Sequence, residues 1–244
     1  MVRGAGILQV VRRIPKGNVV ELLGVYVRYS GSDRPAILDV NLEVPPKRLV
    51  LITGPNGAGK TTLVETCLGL LKPMRGRAFL LGADTSRREV VQARRMCSYV
   101  PQDFMKPPYE SYLAEHVILL GFSAYKAPFE PVNREERERV LWATKLLGIE
   151  ELLSKPMGTL SGGQQQKVLI ARALARRPMV AFFDEPFASL DRESRTLVAE
   201  TLRKYVDSQG ATVFVVSHDI SPIVGHADIT VKLSDGRITR VEGC

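Results

Sequence analysis

The stretch LVLITGPNGAGKTTLVETCLGLL, residues 49–71, contains the pattern that decides the fold. Its apolar beginning predicts a short strand, and the segment 60–71 has the pattern of a helix that is closed by Pro73. Between them, GPNGAGKT fits the phosphate-loop pattern G-x-x-x-x-G-K-[ST]. The alternative, a glycine-rich turn with a chance lysine, explains neither the spacing nor the position between a strand and a helix.

In such a loop, backbone N–H groups wrap the phosphates of a nucleotide, the lysine adds a positive charge and the hydroxyl can hold Mg²⁺. We therefore expect Lys60 to reach the outer phosphates and Thr61 to hold the metal ion. The residues expected to contact the nucleotide here are Gly54, Pro55, Asn56, Gly57, Ala58, Gly59, Lys60, Thr61 and Thr62.

The composition is that of an ordinary globular protein, with 244 residues, 45% hydrophobic and 25% charged. This length allows one large domain or two small ones. No run approaches the roughly 18 apolar residues of a membrane span, and residues 1–18 have the pattern of an extension and not of a signal peptide. These features predict a cytoplasmic location. Cys67, Cys97 and Cys244 match neither a disulfide framework nor a zinc site.

The net charge of +8 is compatible with nucleic acid, anionic lipid or a nucleotide as partner. The basic residues are scattered in pairs such as Arg87/Arg88 and Arg176/Arg177, and none of them belongs to a long basic run. Charge alone therefore selects no partner.

Along the chain, strand patterns alternate with helix patterns, which predicts a mostly parallel sheet with helices on its faces. A middle region, 104–158, is rich in helical periodicity and predicts a helical subdomain inserted into this α/β core. The other predicted elements are strands within 19–53 and at 78–81 and 97–100, a helix at 161–177, a strand at 179–183, a helix at 192–208, a strand at 212–216 and a hairpin at 228–242 around Asp235-Gly236.

Two carboxylates follow the apolar strand of VAFFDE, residues 180–185. The carboxyl ends of strands are where ligands bind in such sheets. We expect Asp184 to hold Mg²⁺ and Glu185 to orient or deprotonate an attacking water. A helix N-cap would also explain carboxylates at this place, but less well beside a phosphate loop.

Two further polar residues follow predicted strands. His218 ends the strand of VFVVSHD, and Gln102 follows the strand of SYVPQD. A lone histidine is more often structural than functional, but its place at a strand end favours a role in the site. A glutamine after a strand does not by itself indicate a function.

The motif LSGGQQQ, residues 160–166, is a second possible phosphate site, because Ser161 and the glycines leave amides open at a predicted helix start. A plain helix cap is the alternative. One γ-phosphate already has the loop 54–62 on its near side, so a second group of donors on its far side can come from another chain. Two identical chains arranged head to tail would then bury two nucleotides.

Taken together, these motifs resemble those of the ATP-binding subunits of ABC transporters, in the same order and spacing over nearly the whole chain past residue 19. The phosphate loop looks like Walker A, VPQ with Gln102 like the Q-loop, LSGGQQQ like the signature, VAFFDE like Walker B with the catalytic glutamate, SLD with Asp191 like the D-loop, and SHD with His218 like the switch histidine. The resemblance implies an α/β P-loop NTPase core with a mostly parallel sheet, an antiparallel β subdomain and an inserted α-helical subdomain.

The resemblance also implies the reaction, ATP hydrolysis with Mg²⁺, and the roles of further residues. It implies catalytic roles for Glu185, His218 and Gln102. It implies a metal site of Thr61, Gln102 and Asp184. The implied nucleotide contacts outside the phosphate loop are Tyr29 on the adenine, with Tyr26 as the less favoured tyrosine, and Ser161, Gly162, Gly163, Gln164 and Asp191.

The implied partners are transmembrane permease subunits, a second copy or a paired ATPase subunit, and indirectly an extracytoplasmic substrate-binding protein, with no nucleic acid. The permease would dock near Phe104–His116, which places the chain at the inner face of the membrane. DEPFASLD and the signature helix are similar to zinc or manganese importers; siderophore or cobalamin importers and non-transport ATPases of DNA repair or iron–sulfur assembly are the alternatives.

Overall fold

The computed structural model describes residues 17–29, 31, 34–102, 110–126 and 130–243. Nearly all of the predicted extension 1–18 lies outside these residues, as does Cys244. In the described residues the elements are, in chain order, β1 Val20–Val27, β2 Ile37–Val44, β3 Leu49–Thr53, α1 Lys60–Cys67, β4 Arg75–Leu80, β5 Ala83–Asp84, α2 Val90–Arg95, β6 Cys97–Val100, α3 Ala114–Leu119, α4 Arg134–Leu147, α5 Gly162–Ala175, β7 Val180–Asp184, α6 Arg192–Gln209, β8 Thr212–Val216, β9 Ile229–Ser234 and β10 Arg237–Glu242.

The central sheet has six strands in the order β10-β9-β3-β8-β7-β6. All neighbouring strands in it are parallel except the pair β9 and β10. Every residue of β7 and β8 is buried, as expected for strands that are covered by other elements on both faces. The predicted mostly parallel sheet is therefore confirmed.

A second sheet has the order β2-β1-β4-β5 and is antiparallel throughout. Its buried side chains, such as Val25 and Ile37, share one apolar core with α1, α2 and one face of the central sheet. This sheet is the predicted antiparallel β subdomain.

The opposite face of the central sheet packs against α3 to α6 in a separate apolar core. Between β6 and α5, the described residues form α3, α4 and three short 3₁₀ segments, which confirms an inserted helical subdomain. α4 begins at a capping box in which the Asn133 side chain accepts from the Glu136 N–H, and it ends at Gly148 in the left-handed conformation. In the described part of the chain, no helix has both the length and the apolar character that a bilayer span requires.

Some predicted boundaries were wrong. The first helix ends at Cys67 and not at residue 71, because Gly69 adopts φ 66° and turns the chain back over Thr66. The signature helix ends two residues early, at Ala175. The hairpin turn at Asp235-Gly236 is confirmed, with φ values of 48° and 73°.

The two described cysteines are buried and free. Burial raises the pKa of the Cys67 and Cys97 thiols to about 12. Both are therefore packing residues with little thiolate character at neutral pH.

Candidate functional site

The phosphate loop runs from β3 into α1 and is packed tightly from behind. A Cβ built at Gly54 would lie 2.1 Å from the carbonyl oxygen of Leu233, and one built at Gly59 would lie 2.5 Å from that of Ala36. Both glycines also have positive φ, 151° and 96°. No larger residue fits these two positions without moving the backbone. Gly57, by contrast, faces open space, so the loop is backed by the chain at its ends and open in its middle.

Lys60 is the first residue of α1 and is buried. Its Nζ donates to the carbonyl oxygens of Gly54 and Pro55, at 2.9 and 3.0 Å. The ammonium group is therefore held directly over the loop that it would serve. Phosphate oxygens that enter the loop would find a cation already in position.

The end of β7 lies next to the start of α1. Thr61 Oγ1 donates to Asp184 Oδ2 at 2.6 Å. Asp184 is buried, and this burial raises the pKa of its carboxyl group above the usual range, an effect to which the neighbouring charge of Glu185 adds. The Thr61 hydrogen bond and the charge of Lys60 oppose this rise without cancelling it.

Glu185 has a backbone conformation that is unfavourable for a residue with a side chain, with φ 51°. Its N–H donates to the carbonyl of Val216 at 2.9 Å, so the bend is fixed by the end of β8. The strain directs the carboxylate toward the residues that follow β8. Such strain at the end of a strand is common in functional sites, where the surrounding structure maintains it.

The two oxygens of Glu185 are held by Ser217 and His218. The His218 N–H donates to Oε1 at 3.2 Å, the imidazole Nδ1 lies 2.9 Å from the same oxygen, and Ser217 Oγ donates to Oε2 at 3.4 Å. The Glu185 side chain is 7% exposed, whereas that of His218 is 61% exposed. The pair thus joins a fixed carboxylate to an imidazole that reaches into open space. Ser217 was missed in the sequence analysis, although its place between β8 and His218 was a usable signal.

Tyr29 lies two residues past β1, and its hydroxyl is 2.9 Å from Thr62 Oγ1 and donates to Glu65 Oε2 at 3.4 Å. The structure thus puts Tyr29 beside the first turns of α1, with its ring partly exposed. Tyr26, by contrast, lies within β1, opposite Arg75 of β4. The geometry is compatible with Tyr29 as the base contact.

Gln102 is exposed and lies two residues past β6, directly before the undescribed residues 103–109. In the described residues, its side chain makes no hydrogen bond. Its contact with a metal ion therefore stays a prediction.

The signature turn faces elements of its own chain other than the phosphate loop. Ser161 caps α5, since its Oγ accepts from the Gln164 N–H at 3.3 Å while Gln164 Oε1 accepts from the Ser161 N–H at 3.0 Å. A Cβ at Gly163 would lie 2.9 Å from the carbonyl oxygen of Ser189. Asp191 caps α6 through the Ser194 N–H at 2.7 Å.

Among the described residues, no hydrogen bond joins the turn 161–164, or Asp191, to the loop 54–62. The structure therefore brings together Lys60, Thr61, Asp184, Glu185 and His218. In the signature turn Ser161 and Gly162 are exposed, and Gly163 and Gln164 are half-buried.

A magnesium ion fits the chemistry at Thr61 and Asp184. Hydroxyl and carboxylate oxygens are the ligands that Mg²⁺ prefers, and the raised pKa of Asp184 reflects a buried negative charge that a cation would offset. In the part of the chain that the structure describes, no three His, Cys, Asp or Glu residues are grouped as a metal site. This suits an ion that keeps waters and shares phosphate oxygens with the protein.

The buried charge of Asp184 gives a testable stability effect. In Asp184→Asn, an amide oxygen can still accept from Thr61 but the charge is gone. We therefore expect the nucleotide-free protein in EDTA to melt higher, by about 2–4 °C for each kcal/mol gained, while ATP hydrolysis is lost.

Asp191→Asn is the matched control, because Asp191 is exposed and asparagine caps helices equally well. Its melting temperature should not rise. If Asp184→Asn melts at a lower temperature than the wild type, the buried carboxylate stabilises the nucleotide-free fold, and the expectation that it destabilises the fold is wrong.

Comparisons with known proteins agree with this geometry. A family model described as "ABC transporter" matches residues 37–188. The chain is 35% identical to the manganese transport system ATP-binding protein MntB of Halalkalibacterium halodurans, over 82% of this chain and 77% of that protein. It is 34% identical to the molybdate/tungstate import ATP-binding protein WtpC of Thermococcus kodakarensis, over 83% of this chain but only 59% of that protein.

Among solved structures, the fold matches a dimeric, post-hydrolysis state of the ATP-binding cassette MJ0796 bound to ADP and Pi, with a TM-score of 0.81 and 31% identity over 92% of this chain and 98% of that chain. The matched family model covers more than half of the chain. The chain belongs to the ABC transporter family, as an ATP-binding cassette that hydrolyses ATP.

Proposed function

We propose that this chain is the ATPase subunit of an importer and that two copies share their ATP sites. The observation that carries the proposal is that, within one chain, the signature turn is separate from the phosphate loop and the catalytic carboxylate. The phosphate loop, Asp184, Glu185 and His218 meet at one edge of the sheet, while Ser161 is capped and exposed elsewhere. The signature turn of one chain then covers the nucleotide bound by the other.

In this proposal, the residues of one chain hold the nucleotide and activate the water. The N–H groups of the loop bind phosphate oxygens, and Lys60, already poised over Gly54 and Pro55, neutralises the outer phosphates. Thr61 and Asp184 would hold Mg²⁺, and Gln102 would be a further ligand. When bound, this ion would neutralise charge on the phosphates.

Glu185 orients the attacking water and takes its proton. Ser217 and the His218 N–H fix the two carboxylate oxygens, so the base is held in one direction during the attack. His218 extends from Glu185 toward the solvent-exposed side, where the terminal phosphate would lie. Tyr29 stacks on the base at the start of α1.

Closure of the pair follows from the position of the signature turn. The N–H groups at the start of α5 form an anion site with no phosphate in its own chain. ATP held by one copy would supply that anion to the other copy. Two ATP molecules then join the pair, and hydrolysis releases it. The relative that is dimeric with ADP and Pi bound supports the pairing of two such chains.

The proposed membrane partner is a permease, docked near the predicted stretch Phe104–His116, so that the chain lies peripherally at the inner face of the membrane. Residues 104–109 of this stretch lie outside the described residues, and within the described part Tyr112 is 45% exposed. A substrate-binding protein would act on the permease from the other side. No nucleic acid partner is proposed.

For the cargo we propose a divalent metal ion, manganese or zinc. The support is the similarity to the manganese transport protein MntB, which matches this chain over 77% of its own length. The molybdate/tungstate relative makes an oxyanion the competing cargo, at nearly equal identity. With the permease and binding protein assembled in liposomes, MnCl₂ should stimulate ATP hydrolysis and sodium molybdate should not. Stimulation by molybdate alone would exclude the metal-ion cargo.

Glu185→Gln tests the proposed catalytic role. The amide oxygen can still accept from the His218 N–H, but the amide cannot take a proton, so hydrolysis should slow by roughly 10²–10⁴ while ATP still binds. The persisting ATP should make a dimer accumulate in size-exclusion chromatography.

Lys60→Ala is the comparison variant, because the outer phosphates lose their cation. It should bind ATP weakly and stay monomeric. If Glu185→Gln loses ATP binding and turnover to the same degree, Glu185 has a structural role and the assignment is wrong.

A further inference from the structure

Arg195, in the first turns of α6, contacts two loops at once. Its Nε donates to the carbonyl oxygen of Leu190 at 2.9 Å, and its Nη1 forms an ion pair with Asp219. Leu190 precedes the cap of α6, and Asp219 directly follows His218. The planar guanidinium group has several N–H groups that point in fixed directions, so one arginine can bind two acceptors that a lysine cannot reach together.

On one side, the contact leads to the catalytic pair. Ser217 Oγ lies 2.9 Å from the carbonyl oxygen of Asp219 and 3.4 Å from Glu185 Oε2, so its single O–H is shared between these two acceptors. Ser221 donates to Asp219 Oδ1 through its hydroxyl at 2.7 Å and through its N–H at 3.2 Å. These bonds, with Arg195 and His218, lower the pKa of Asp219, so the pair with Arg195 stays charged at neutral pH. The segment 217–221 is thus held as one unit.

On the other side, the contact leads to the signature turn of the same chain. Leu190 belongs to the short loop 188–191, which we call the SLD loop. The carbonyl of Ser189 in this loop packs so closely on Gly163 that a Cβ there would lie 2.9 Å away. A shift of the SLD loop would therefore move the turn of α5.

This ion pair is unsuited to a purely stabilising role. The side chains of Arg195 and Asp219 are 31% and 34% exposed, and ion pairs with this exposure contribute little to folding. What the arginine does provide is a fixed distance between two loops. Both loops carry residues of the proposed ATP sites.

We propose that Arg195 is a positioning residue that fixes the His218–Asp219 segment against the SLD loop and thereby sets His218 in place on Glu185. The proposal rests on the proposed function, in which Glu185 and His218 act on ATP. Arg195 itself touches neither the nucleotide nor the water. Its loss should slow the chemical step and leave ATP binding nearly unchanged.

Steady-state ATP hydrolysis by Arg195→Met tests this role. We expect kcat to fall by about tenfold or more, as for loss of a group that orients a catalytic residue, while KM for ATP changes less than about twofold. Asp219→Asn should reproduce the fall. Since both variants break the Arg195–Asp219 ion pair, the double variant should be no slower than Arg195→Met alone.

Arg203→Met is the matched control. Arg203 lies two turns further along α6 and makes an ion pair with Asp228 at 2.8 Å, before β9 and away from the catalytic pair. It should lower the melting temperature at least as much as Arg195→Met but leave kcat within about twofold of the wild type. In Arg195→Lys the ammonium group can still form an ion pair with Asp219 but cannot also donate to the carbonyl of Leu190. Its kcat should therefore be at least fivefold below that of the wild type.

Three results would overturn the proposal. The first is that Arg195→Met has the same kcat as Arg203→Met, and the second is that Arg195→Lys has the wild-type kcat. The third is that the kcat losses of Arg195→Met and Asp219→Asn multiply in the double variant. Glu185→Gln, measured in the same assay, distinguishes a failure of the proposed catalytic site from a failure of the proposed role of Arg195. If it too hydrolyses ATP normally, the proposed catalytic site is wrong. If it is inactive while Arg195→Met is not, only the role of Arg195 fails.

Discussion

The parallel pairing of β8 between β3 and β7 is the constraint on which the rest of this structure depends. Parallel strands end at the same edge of a sheet, so three chain segments that are far apart in sequence finish side by side. The phosphate loop follows β3, the carboxylates end β7, and Ser217 and His218 follow β8. The Thr61–Asp184 and His218–Glu185 contacts are consequences of this strand order.

The edge where these strands end is not arranged for the stability of the nucleotide-free chain. Asp184 is a buried carboxylate with a raised pKa, and Glu185 is held at a positive φ. Both features are unfavourable by themselves, and the packed strands around them maintain them. Their benefit comes when phosphates and a cation arrive, because the charges and the direction of the base are already set. The site is thus preorganised for a nucleotide, which in our proposal it shares with the signature turn of a second chain.

Much of this could be predicted from the sequence, because strand ends and motifs are local patterns. The parallel sheet, the helical insertion and the turn at Asp235-Gly236 are confirmed, whereas the roles of Glu185, His218 and Ser161 stay predictions. The end of α1 was missed, since Gly69 looks like a tolerated helix residue until its left-handed conformation is seen. Arg195 could not be found, because its two partners are brought together only by the fold.

The central claim is that one chain's signature turn serves the other chain's ATP, and mixed dimers test it most directly. Ser161→Arg blocks the turn and Lys60→Ala removes the phosphate contact, so neither variant alone should trap ATP. In differently tagged mixed dimers, one interface combines an intact Lys60 with an intact Ser161 from the partner. We predict that such dimers form with ATP and trap about one nucleotide per pair. If mixing is verified and no nucleotide is trapped between the chains, each signature turn serves its own chain and the account is contradicted.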